Sequence, residues 1–199
     1  MKKIYILILS LIIVFSCKEK LTEEQIIINQ NKKAIDSLTY IRNNLHPEYL
    51  KTGNSELIAN EIIKNSLSVL EIDTKNLEAL KDLAHFNFEL KNYKDAVHYY
   101  TILIDLKDDT NNRYVTPYYL QRGLAKYHLK DFNGAIEDLQ QYKNENTDKR
   151  TVGYTEACYY LGICYKNIND QSNACDNFRT YAENVATDEA WNLIAEYCN

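Results

Sequence analysis

Five thiols are the residues most suited to covalent chemistry: Cys17, Cys158, Cys164, Cys175 and Cys198. Cys17 follows Ser16 at the end of an apolar run from Ile4 to Phe15, broken only by Ser10 and preceded by Lys2 and Lys3. A thiol at such a place is a nucleophile that can be alkylated or acylated, because sulfur is the strongest side-chain nucleophile once deprotonated. The other four thiols lie between positions 158 and 198, and four cysteines allow three full pairings. Cys164 and Cys175 stand near mirror positions of one expected helical hairpin and are the candidate disulfide. The alternative for all four is packing as small buried helix residues.

Other constellations are thin. There is no Gly-rich phosphate loop, no HExxH, no GxSxG and no CxxC. His46, His85, His98 and His128 have no metal-ligand spacing, although His85 and His128 fall on equivalent helices and could meet. Asp105, Asp108, Asp109, Asn111 and Asn112 form an oxygen-rich stretch without the Gly and closing Glu of a calcium loop, so a solvated linker is expected. We therefore expect no enzyme, no metal and no cofactor.

The elements that must position these groups begin at the N-terminus. A run of twelve residues is too short for a usual membrane span of about 20, but it fits the core of a secretory signal. With Val14, Ser16 and Cys17 it resembles a bacterial lipoprotein signal, from which Phe15 departs because small residues are usual there. The resemblance implies removal of residues 1–16, lipidation of Cys17, and a short tether over 17–21. Acyl chains bind membrane at about 0.8 kcal/mol per buried CH₂. The expected location is the cell envelope outside the cytoplasm, and the outer membrane if the cell has one, since Lys18 is not the Asp that often retains such proteins in an inner membrane. A plain signal peptide or uncleaved anchor would leave Cys17 incidental.

Composition narrows the rest. Five Gly and two Pro in 199 residues are far below the ordinary share of roughly 12%, so helices are favoured over a turn-rich β-sandwich. A hydrophobic content of 45% supports a packed core. A net charge of −5 speaks against nucleic acid, which attracts basic faces. Tyr is abundant, with 17 copies, and suits helix packing and contact surfaces alike.

Three segments beginning at Leu77, Thr116 and Thr155 align without gaps at a period of 39 residues. Ala84, Gly123 and Gly162 coincide, and twelve residues later so do Ala96, Ala135 and Ala174. Small residues at that spacing let two antiparallel helices approach closely while larger neighbours interlock. Asn92, Asp131 and Asp170 are expected N-caps of the second helices, and Thr116-Pro117 an N-cap followed by Pro at the first helical position.

This pattern resembles the tetratricopeptide repeat (TPR). Tyr93 and Phe132 stand at the aromatic before the second helix, and Tyr100 and Phe178 at the aromatic within it. Asn87 and Lys126 replace a usual aromatic, Gln171 replaces the Tyr93/Phe132 type, no Pro closes a unit, and the period exceeds the family's 34. The resemblance implies an all-α, TPR-type solenoid of helical hairpins. Its expected parts are N-terminal helices of a degenerate pair over 22–76, three units over 77–186 and a capping helix over 187–199. Within these, Ile26, Ile27, Ile35, Leu38 and Ile41 mark a helix over 22–44 that His46-Pro47 should break. Asn54 is expected to cap a helix ending near Ile72. Trp191, Ile194, Ala195 and Cys198 should form the packing side of the last helix.

TPR solenoids line a concave groove with their first helices. The corresponding positions are Lys81, His85 and Phe88; Leu120, Leu124 and Tyr127; and Tyr159, Ile163 and Lys166. An apolar floor with cationic ends suits an extended peptide or partner helix, unless the N-terminal helix fills it. The family's carboxylate clamp for chaperone tails is matched only at Lys81, and not by His85, Gln121, Glu156 or Tyr160. The expected function is a membrane-anchored scaffold or subunit of an envelope complex, with a protein or peptide partner. Capture of a glycan or small ligand at the surface, or service as an accessory subunit of an enzyme, is the alternative.

Overall fold

The structure is a computed structural model that describes residues 22–53, 55–106, 116–146 and 148–198. The expected signal segment over 1–16, Cys17, the expected tether over 17–21 and Asn54 lie outside the described residues, as does the acidic stretch beyond Leu106. The described residues form nine helices and no strand: α1 (Glu23–Lys51), α2 (Glu56–Ile72), α3 (Leu77–Glu89), α4 (Tyr93–Asp105), α5 (Thr116–His128), α6 (Phe132–Glu145), α7 (Val152–Asn167), α8 (Gln171–Val185) and α9 (Asp188–Tyr197). None is long and apolar enough to cross a membrane. Each helix packs on its neighbours in sequence, and α5 also touches α7. That is the one-dimensional order of a solenoid.

The small residues sit where close approach requires them. Ala84, Ala96, Ala125 and Ala135 have no exposed surface. A Cβ on Gly123 would lie 2.9 Å from Leu139 Cγ, and one on Gly162 would enter the Phe178 ring. The core runs as successive clusters. Tyr49, Ala59, Ile62 and Phe86 join α1 to α3. Leu80, Ala84, Ala96, Tyr100 and Leu103 fill the first full hairpin. Leu120, Leu124, Leu139, Leu161 and Phe178 link the next two.

The hairpin turns repeat as faithfully as the core. Lys91, Lys130 and Asn169, 39 residues apart, all take a left-handed backbone with φ of 63°. At the first turn the Lys91 N–H donates to the Phe88 carbonyl and the Asn92 N–H to the Asn87 carbonyl, at 2.9 and 2.8 Å. The same two bonds recur at Lys130 with Asp131 and at Asn169 with Asp170. This is the Schellman arrangement, which satisfies the orphan carbonyls of a helix end. Asp131 and Asp170 then cap α6 and α8 by accepting from Gly134 and Asn173. Asn92 stands at the N-cap of α4, but its side chain donates to Asn87 Oδ1 instead.

Several local expectations fail for tertiary reasons. α1 does not stop at His46-Pro47 but runs on to Lys51 with Pro47 inside it. An interior proline costs roughly 3 kcal/mol. Here the last turns of α1 bury Tyr49 edge-on against Phe86, with ring centroids 5.0 Å apart. His46 also meets Phe86, and reaches Asp82 at 3.1 Å. Residues 22–34 of the same helix are exposed on every side. Thr116 is already helical, and its hydroxyl donates to Glu145 Oε2 at 2.7 Å. The N-cap position of α2 is held by Ser55, whose side chain makes no capping bond. On α9, Leu193, Ile194 and Tyr197 pack on the core and Ala190 is buried, whereas Trp191 and Ala195 are exposed.

The disulfide also differs from expectation. Cys175 bonds to Cys198, with Cα atoms 5.5 Å apart, while Cys164 and Cys158 are free and buried. The Cys164–Cys175 pairing is thus corrected. Cys164 points into the core beside Leu161 and Phe178, while α9 folds back over α8 and brings Cys198 to the Cys175 face. Gln171, the departure from the repeat aromatic, donates its amide to the Tyr197 carbonyl at this same contact. Burial pushes the Cys164 thiol up to about 12, which keeps it protonated and unreactive at neutral pH.

Candidate functional site

The Schellman turns return each second helix beside the end of the first, and this builds a file of rings. Phe88, near the end of α3, meets Tyr93, the first residue of α4, at 5.6 Å between centroids. Tyr93 stacks on His128 at the end of α5 at 4.4 Å and 8°. Tyr127 touches His128 at 5.2 Å and Tyr160 of α7 at 4.9 Å. Tyr160 leads to Tyr159 at 5.2 Å, and Tyr159 to Tyr181 of α8 at 5.1 Å. The rings therefore touch in sequence across all three hairpins. Most are half-buried, so each packs one side and leaves another to solvent.

The nine groove residues expected from the sequence divide into three fates. Phe88, Tyr127 and Tyr159 join the file of rings. Leu120 and Leu124 are only 6% and 5% exposed and belong to the core, with the half-buried Ile163 packed against it. They are not a groove floor, because they pack into a cluster shared by α5, α6, α7 and α8. The polar three are engaged locally. Lys81 pairs with Glu78 at 2.8 Å, and exposed His85 lies edge-on to Phe86. Lys166 holds its ammonium 3.3 Å above the Tyr197 ring of α9. His85 and His128 thus serve separate ring contacts. Among the described residues no three His, Cys, Asp or Glu side chains converge as a metal site.

One end of the file opens into a cleft of about 540 Å³. It is lined by Arg150 before α7, by Val152, Thr155, Glu156, Tyr159 and Tyr160 of α7, and by Tyr181, Asn184 and Val185 of α8. Asn184 fixes the rim by donating its amide to the Lys149 carbonyl at 3.0 Å. Burial raises the Glu156 carboxyl. The Tyr160 hydroxyl is raised by burial first and then by Glu156 and the neighbouring tyrosines. Tyr127 is raised by burial and then by Tyr159.

Beneath the rings lies an ionic staple that sequence reading missed. Asp138 of α6, with its side chain 4% exposed, accepts from Arg122 Nε at 2.8 Å and Nη2 at 2.6 Å. Lys126 reaches the same carboxylate at 2.8 Å. This explains why Lys126 replaces an aromatic, since its ammonium neutralises a buried carboxylate. Asn87, at the equivalent position, donates to the Leu83 carbonyl at 2.8 Å. A second staple joins Asp82 to Arg42 at 3.4 Å and to His46, tying α1 to α3. Burial raises the Asp82 carboxyl despite these partners. The spacing of Arg122 and Lys126 on one helix face was the available signal; their shared carboxylate on another helix was not.

Residues 156–187 match the family model described as tetratricopeptide repeat. No curated protein matches the chain. Among solved structures, a crystal structure of MamA protein is 20% identical with a TM-score of 0.61, covering 76% of this chain and 75% of that one. A further crystal structure of MamA has 20% identity and a TM-score of 0.56, covering 69% and 72%. MamA 41-end from Desulfovibrio magneticus RS-1 has 14% identity and a TM-score of 0.53, covering 85% and 99%. At these identities the likeness establishes the fold alone.

Proposed function

We propose that this helical-hairpin solenoid, in which residues 156–187 match the tetratricopeptide-repeat model, is a protein–protein interaction scaffold, held at a membrane by lipid on Cys17 and serving a complex of the cell envelope outside the cytoplasm. The observation that carries the scaffold reading is the unbroken contact of rings from Phe88 to Tyr181. Tyr combines a large apolar face with a polar tip and little conformational entropy, which is why it is enriched at binding hot spots. Spread over three hairpins, such rings suit an extended segment better than a compact substrate.

Support for the anchor is the Lys2-Lys3, Ile4–Phe15, Ser16-Cys17 succession. The long exposed start of α1 agrees with it, since residues 22–34 would stand the solenoid off from a lipidated Cys17. Co-purification in mild detergent tests the scaffold: a stoichiometric protein partner is expected, and Tyr127→Ala with Tyr159→Ala should abolish its capture with little change in melting. A large loss of melting temperature in that variant would mean the rings serve the fold instead. Labelled fatty acid should enter the wild type but not Cys17→Ser; equal label in both would remove the anchor.

A further inference from the structure

We propose that the cleft between α7 and α8 receives an arginine side chain of the partner polypeptide, its guanidinium held among the rings of Tyr159, Tyr160 and Tyr181 and ion-paired with Glu156. The inference rests on the scaffold reading and names what one part of that surface recognises.

Four observations carry it. The cavity, about 540 Å³, lies within the size range of pockets that take one discrete ligand group. Three tyrosine rings line it, with neighbouring centroids 5.2 and 5.1 Å apart and mutually inclined planes. Ring faces carry negative potential and attract a cation within about 6 Å. The single carboxylate among the lining residues is Glu156, half-buried. Burial alone displaces its titration, so it bears a desolvation cost that no cation of the described chain relieves. Arg150, the lining cation, instead points to solvent with its side chain 89% exposed and pairs with Asp148 at 3.4 Å.

The chemistry selects arginine among cations. A guanidinium is planar and weakly hydrated, so it stacks on a ring while giving two parallel N–H donors to one carboxylate. An ammonium is compact and keeps its water, and a quaternary ammonium cannot donate to Glu156 at all. Net charge of −5 favours the approach of a basic segment over a long distance.

The test uses the full chain in mild detergent, titrated with acetyl-Gly-Arg-Gly-amide and with the citrulline peptide, its neutral isostere. Ring signals of Tyr159, Tyr160 and Tyr181 should move with the arginine peptide. The citrulline peptide should bind about tenfold more weakly or worse, as expected for loss of a charge-assisted bond. Glu156→Gln should lose the same factor for the arginine peptide with unchanged melting. Equal binding of the two peptides, equal binding by Glu156→Gln, or no binding of the arginine peptide overturns the inference. Partner capture separates the two readings. If the wild type captures a stoichiometric partner and Glu156→Gln captures it equally, the cleft assignment falls and the scaffold stands. If the wild type captures none, the scaffold reading fails, and the peptide titration still decides the cleft.

Discussion

His128 lies flat on Tyr93, centroids 4.4 Å apart and planes within 8°, so the last residue of α5 covers the first residue of α4. This contact and the nearby Lys91 ammonium hold the imidazole below its ordinary value of 6.5, burial contributing most. The folded state therefore binds the proton less well than the unfolded chain. Stability from this source is complete above 6.5 and declines as pH falls toward the lower folded value. The melting temperature should drop between pH 7 and pH 5, and His128→Gln should flatten that part of the profile. An unchanged profile in the variant would show that His128 is not linked to folding.

Lys130 takes a left-handed backbone that costs a non-glycine residue about 1–2 kcal/mol. Lys130→Gly should raise stability by about 0.5–1 kcal/mol, after the entropy glycine adds to the unfolded chain. Lys91→Gly should do the same. Asn169→Gly should gain less, since Asn tolerates this region. Urea denaturation of the three variants checks the order, and a destabilised Lys130→Gly would contradict it.

Asp138 is the shared anion of Arg122 and Lys126 in a site where all three side chains are under 20% exposed. Asp138→Asn leaves two cations without their anion and should cost about 3–5 kcal/mol. Arg122→Met with Lys126→Met and Asp138→Leu should recover much of that loss, because the desolvation of all three charges disappears together. Denaturant midpoints of the single and triple variants decide between these outcomes.

The Cys175–Cys198 bridge closes α9 onto α8 across 23 residues. Loop closure of that length is worth about 3 kcal/mol. Cys198→Ser or reduction should lower the melting temperature and expose the α8 face to hydrogen exchange. Peptide mapping without reductant should recover Cys175 joined to Cys198, with Cys158 and Cys164 alkylated only after denaturation.

The sequence by itself determined the hairpins. The pairs Ala84/Ala96, Gly123/Ala135 and Gly162/Ala174 are local in their logic, because a small residue is required wherever two helix axes approach. They could be read from spacing alone, as could the caps Asp131 and Asp170. Phe88, Tyr127 and Tyr159 could be placed on one helix face from their spacing. Tertiary structure alone decided which side chains meet across helices distant in sequence. Leu120 and Leu124 have the same pattern whether they line a groove or fill a core, and only their packing with residues of α6, α7 and α8 places them in the core. Cys175 could choose Cys198 over Cys164 only once α9 had docked. Pro47 reads as a break until Phe86 supplies the burial that holds α1 together past it. In each case local preference amounts to a few kcal/mol at most, and packing between remote segments contributes as much or more.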